Sequence, residues 1–145
     1  MEEFEALRHA IEAGDYDQAL GLLDELDAMS RDDKIIKIMS YMRVLLLHLI
    51  KQAAEQRSTR SWDDSMAEAL DRIVALNKRR KAGGHYLDNM TLHEALAETY
   101  PSALRRATRE AFEGVRSVEQ LAALVDRAGI LDTALQQILR AQESA

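Results

Sequence analysis

One histidine is conspicuous for its surroundings. His48 interrupts the most apolar stretch of the chain, residues 44–50. An imidazole in such a setting has its charge set by burial and by its neighbours, which makes it a candidate general base. The same pattern fits a core histidine whose ring nitrogens are held by hydrogen bonds, and that plainer reading is favoured. Trp62, the single tryptophan, reads most simply as a core anchor just inside a helix start, with an indole N–H in need of a partner.

The remaining residues capable of chemistry fall into no reactive constellation. His9 and His93 have polar neighbours, and His85 lies eight residues from His93 across a loop. No His-Glu-x-x-His spacing occurs, and a metal site needs three or four converging ligands, so no metal is expected. The chain has no cysteine, which excludes disulfides, thiol catalysis and cysteine–zinc sites. The carboxylate pairs Asp32-Asp33 and Asp63-Asp64 fall at predicted helix starts, where the helix dipole already explains them. Phosphate-binding glycine loops and the Gly-x-Ser-x-Gly elbow are missing, and no cofactor is expected. The basic run Lys78, Arg79, Arg80 and Lys81 could meet nucleic-acid phosphates. It also lies where cations complement a helix C-terminus, and no nucleic-acid-binding signature accompanies it. That second explanation is preferred.

Helices must position all of these groups. The apolar residues are dominated by 20 leucines and 22 alanines, against 13 valines and isoleucines, and no segment alternates with the period of a strand. The spacing predicts helices over 2–13 and 16–28 joined through Gly14, as a hairpin resembling one unit of a tetratricopeptide-type repeat. No second copy follows at a period of about 34 residues, so a solenoid is excluded. Ser30-Arg31-Asp32-Asp33 resembles a capping box and predicts a long central helix over 31–56, apolar nearly all round near His48. Ser61 predicts a helix start and Gly83-Gly84 its end, after helical spacing that continues to Lys81. Thr91-Leu92-His93-Glu94 predicts another start, Pro101 a kink or tight junction, Ser117 a further cap, and Gly129 a helix end. The expected fold is all-α: one domain over 1–145, a single compact bundle of six to seven helices, with a hairpin over 1–29 and a main bundle over 30–145.

Charge is unevenly spread. Residues 1–33 hold 11 acids and 2 bases, residues 34–84 hold 5 acids and 11 bases, and the whole chain carries −6. The acidic hairpin could therefore dock on the basic middle, within one chain or across a dimer. The start is acidic where a signal peptide is basic, and no apolar run approaches the ~20 residues of a membrane span. A cytoplasmic protein is expected, with no membrane association.

The order of features is similar to a known family. Leu45-Leu46-Leu47-His48-Leu49-Ile50-Lys51 precedes Arg57-Ser58-Thr59-Arg60-Ser61-Trp62. Leu96, Tyr100, Ala103 and Ala107 follow around Arg105-Arg106, and then Val118-Glu119-Gln120-Leu121. Over roughly residues 20–125 this resembles the bacterial domain-of-unknown-function family twenty-nine, with Gln52 standing where the family tends to have tryptophan. The resemblance implies a helical fold, a bacterial source and no established activity. It also makes His48, Lys51, Arg60, Ser61 and Trp62 a candidate shared site, because a helix–loop–helix turn would bring them together. The expected function is a non-catalytic interaction or regulatory module acting through a protein partner or homo-oligomer. The alternatives are a small-molecule-binding protein or enzyme with a pocket near His48, Lys51 and Trp62, and weak nucleic-acid binding through Lys78–Lys81.

Overall fold

In a computed structural model that describes residues 2–79 and 83–145, the chain forms six α-helices. They are α1 (Glu3–Glu12), α2 (Tyr16–Glu55), α3 (Arg60–Asn77), α4 (Asn89–Glu110), α5 (Val118–Ala123) and α6 (Arg127–Ser144), with a 3₁₀ turn at Ala111–Gly114. There is no strand among the described residues. The chain divides into two compact units, Met1–Ile35 and Ile36–Ala145, and the division falls inside α2.

The first unit is a hairpin. Gly14 takes the left-handed backbone at φ 73°, and Asp15 Oδ1 accepts from the Gln18 amide at 3.2 Å to open α2. Among its described residues, Ala10 and Ala19 alone are buried. The helix start expected at Ser30 is not there, because α2 runs straight through it. A Ser-x-x-Asp sequence caps a helix only where the backbone leaves helical geometry, and neither glycine nor proline stands near Ser30 to make it do so.

The second unit is built on the C-terminal part of α2. Ile38, Met42, Leu45, Leu46 and Ile50 are fully buried there. Ile73 of α3, Leu92 and Leu96 of α4, Leu121 of α5 and Ile138 of α6 are likewise without exposed surface. Ala103 and Ala107 on α4 and Ala134 on α6 are also fully buried, and these small side chains allow α4 and α6 to pack closely.

Helix boundaries follow the cap that is geometrically available. Ser117 and Gln120 form the expected reciprocal box at the start of α5. Elsewhere a different residue takes the role. Thr59, not Ser61, accepts from the Trp62 amide at 3.1 Å, and Asp88, one turn before Thr91, accepts from the Thr91 amide at 2.9 Å. The Thr91 bonds hold the Asp88 carboxyl below its usual range. Gly129 does not end a helix but sits in the first turn of α6, where a Cβ would lie 2.6 Å from Asp126 Oδ2. Pro101 lies on the exposed side of α4, which continues through it.

α3 ends at Asn77, earlier than the spacing predicts, because Asn77 turns to another task. Fully buried, its Nδ2 donates to the Leu87 carbonyl at 3.1 Å and to Gln142 Oε1 at 2.8 Å, while its Oδ1 accepts from the Leu87 amide at 2.8 Å. One side chain thus fixes the connection to α4 and ties it to α6. Substituting Asn77→Leu keeps the branched shape but leaves the Leu87 N–H without its acceptor. It should lower unfolding free energy by about 2 kcal/mol, read as a shifted urea midpoint with an unchanged slope.

Candidate functional site

The candidate site lies within the second unit, at the C-terminal end of α2. His48 and Lys51 are three residues apart and share a helix face. The connection to α3 is short and well anchored. Gln56 takes φ 55°, Gln52 Nε2 donates to Ser58 Oγ at 2.8 Å, and Ser58 Oγ donates to Asp63 Oδ1 at 2.6 Å. This closed loop delivers Trp62 to the first turn of α3, against the end of α2. Gln52, Ser58 and Asp63 together hold the loop shut.

Lys51 is 6% exposed, and its ammonium lies 3.1 Å from Glu110 Oε1 at the end of α4 and 4.4 Å from the Trp62 ring centroid. The ion pair offsets part of the desolvation cost, and the electron-rich ring face adds attraction. Arg57 places its guanidinium 4.8 Å from the same ring while its Nε pairs with Glu55 Oε1 at 3.1 Å. The His48 ring is 6.3 Å from Trp62, and its Nδ1 is buried with no hydrogen-bond partner among the described residues. Burial first, and then the Lys51 charge, push the His48 pKa below 6.5, with Arg106 acting in the same direction and Glu110 opposing.

Three of the five expected site residues therefore converge: His48, Lys51 and Trp62. Arg60 and Ser61 stand exposed on the first turn of α3 and make none of these contacts. Among the three, Trp62 lines a cleft of about 430 Å³ with Arg57, Glu110, Phe112, Glu113 and Arg116, whereas His48 and Lys51 are not in its walls. Its rim is a strained turn: Phe112, Glu113 and Gly114 take φ of 51°, 57° and 77° in succession. Only glycine fits the last position, since a Cβ there would meet the Arg109 carbonyl oxygen at 2.9 Å. Arg116 covers the Phe112 ring at 4.2 Å.

Glu110 is the contributor that sequence reasoning missed. Its i,i+4 relation to Arg106, with Nε 3.4 Å from Glu110 Oε2, was visible in the sequence, but its pairing with Lys51 was not. Lys78 and Arg79 are exposed beyond the end of α3, the Arg79 guanidinium lying 5.7 Å from the Tyr86 ring centroid. Arg80 and Lys81 of the same run lie outside the described residues. His9, His85 and His93 are exposed, and among the described residues no three His, Asp or Glu side chains are grouped to hold a metal ion. No described helix is long and apolar enough to cross a membrane.

Helices alone, carrying a buried cation shared between a carboxylate and an indole, define an all-α domain. The chain belongs to the family described as Domain of unknown function DUF29, which matches residues 4–121. No curated protein and no solved structure matches it.

Two outcomes test the site's energetics. Removing the acid should hurt more than removing the base, because Glu110→Ala strands a buried ammonium while Lys51→Met leaves a carboxylate that is 39% exposed and still beside Arg106. Glu110→Ala should cost about 2 kcal/mol and Lys51→Met less than half of that, measured by urea unfolding. The second outcome concerns pH. Because His48 takes up a proton less readily folded than unfolded, the unfolded state binds more protons below pH 6.5, and stability falls as pH drops through that value. The urea midpoint should decrease between about pH 7.5 and about pH 5.5, and His48→Leu should reduce that decrease.

Proposed function

We propose that the protein is a non-catalytic interaction module that works by self-association through its N-terminal hairpin. One observation carries the reading. In a unit where, among the described residues, two alanines alone are buried, Phe4, Ile11, Tyr16, Leu20, Leu23 and Met29 are 47–72% exposed. Tyr16, Leu20 and Leu23 fall at i, i+4 and i+7, and Phe4 and Ile11 at i and i+7, so each helix presents an apolar stripe. Exposed apolar stripes of this kind favour an interface.

Charge complementarity supports a second copy as the occupant. Residues 1–33 carry −9 and residues 34–84 carry +6, so the acidic hairpin of one protomer is matched to the basic segment of its partner. An enzyme or small-molecule site at His48, Lys51 and Trp62 has less in its support. His48 and Lys51 are 9% and 6% exposed, and a general base must reach a substrate. The family resemblance supports a bacterial source, and a cytoplasmic setting goes with the proposal.

Sedimentation equilibrium of the full chain tests the reading. A dimer is expected at about 0.05 M salt, with a shift toward monomer at about 0.5 M as screening shortens the reach of the charges. Leu20→Asp, at an exposed position, should give monomer at both salt concentrations. A wild-type chain that is monomeric at every concentration and salt overturns self-association.

A further inference from the structure

A second cleft, of about 630 Å³, lies in the Ile36–Ala145 unit between α2 and α4. Its walls are Arg43, Ser102, Arg105, Arg106, Arg109 and Glu110. On α4 the contributing residues Ser102, Arg105, Arg106 and Arg109 recur at i, i+3, i+4 and i+7, which places one polar face of the helix against the cleft. Arg43 enters from α2. Four guanidinium groups thus face a single carboxylate. That carboxylate is already engaged, with Oε1 on Lys51 at 3.1 Å and Oε2 near Arg106 at 3.4 Å. Arg43, Arg105 and Arg109 have no ion-pair partner among the described residues.

Arg43 supplies an independent sign. Its Nε is buried and has no hydrogen-bond acceptor among the described residues, and a buried charged donor left so is costly. Structural roles do not account for this set. The helix dipole explains a cation in the last turn of α4, where Arg109 lies, but neither Arg105 a turn earlier nor Arg43 on another helix. Like charges at i,i+4, as at Arg105 and Arg109, destabilise a bare helix. An oxyanion placed among the guanidinium groups would relieve both effects, since their planar forks match phosphate oxygens in pairs.

We propose that the arginine cleft between α2 and α4 binds a compact phosphate-bearing ligand. Its volume falls within the range of small-molecule sites. It also adjoins a more apolar hollow of about 340 Å³ that shares Arg43 and Ser102 and continues to Ile36, Met39 and Thr99. The phosphate sits on the arginines, and an organic body, where the ligand has one, lies along Ile36 and Met39. The cleft is confined to one position on α2 and two turns of α4, which favours a compact anion over an extended one. The inference stands apart from self-association, because none of the cleft residues belongs to the hairpin.

Titration calorimetry of the full chain tests it with two probes, inorganic pyrophosphate and adenosine monophosphate, each against sodium chloride of equal ionic strength. Saturable one-site binding of either probe is expected. Tighter pyrophosphate assigns the cleft to free phosphates, and tighter adenosine monophosphate to a phosphate ester whose body uses the adjoining hollow. Arg109→Gln, at an exposed position, should weaken binding by about tenfold, as should Arg43→Gln. Arg140→Gln, exposed on α6 and outside the cleft, should not change it. The proposal is overturned if neither probe saturates, or if Arg140→Gln weakens binding as much as Arg109→Gln does. It is also overturned if a DNA duplex displaces the probe more tightly, with a salt dependence spread over several phosphates.

Discussion

Burying an ammonium group is the constraint around which the second unit is arranged. Lys51 has almost no access to water, and a lone buried cation would lose its charge or destabilise the fold. Its partners cannot come from α2 alone. They come from the first turn of α3, as the Trp62 ring, and from the last turn of α4, as Glu110. The requirement thus sets three helix ends against one another. The loop at 56–59 has to be tight enough to bring Trp62 back, and α4 has to reach Glu110 before it breaks. The break follows at once, in a 3₁₀ turn whose left-handed residues redirect the chain toward α5.

That arrangement explains why His48 interrupts an apolar run without acting as a surface histidine. It lies one turn before Lys51 and near the same indole ring, where the ammonium and Arg106 oppose its protonation. A neutral imidazole is compatible with the apolar neighbours that a protonated one would burden. Desolvation and the adjacent cations therefore act in one direction, against the single opposing charge of Glu110.

Much of this was legible in the sequence, and the missing parts have a common cause. Helical class, the Gly14 hairpin, the central helix around His48 and the Ser117 box all rest on local periodicity or on contacts within four residues. The failures are places where a local signal competed with something more distant. Ser30 looks like a cap, but the helix-forming residues on both sides carry α2 through it. Asn77 looks like the interior of a helix extending to Lys81, but its amide is claimed by Leu87 and Gln142, the second 65 residues away. At the site, His48 and Trp62 could be singled out because one breaks a pattern and the other is unique. Glu110 could not, because its bond to Lys51 spans 59 residues and nothing near either residue announces it.

Glu110 also links the two clefts electrostatically. It is in the walls of both the Trp62 cleft and the arginine cleft. One of its oxygens serves the buried lysine, and the other lies within ion-pair distance of Arg106. A single negative charge divided in this way cannot neutralise two cations. Where the surroundings are drier, the pairing with Lys51 takes precedence, because Coulomb attraction strengthens as water is excluded. Arg106 is exposed and is left only weakly compensated, beside three arginines with no acid of their own. The positive character of the α2–α4 cleft is thus partly a consequence of the buried cation: the acid that could have offset the arginines is held by Lys51.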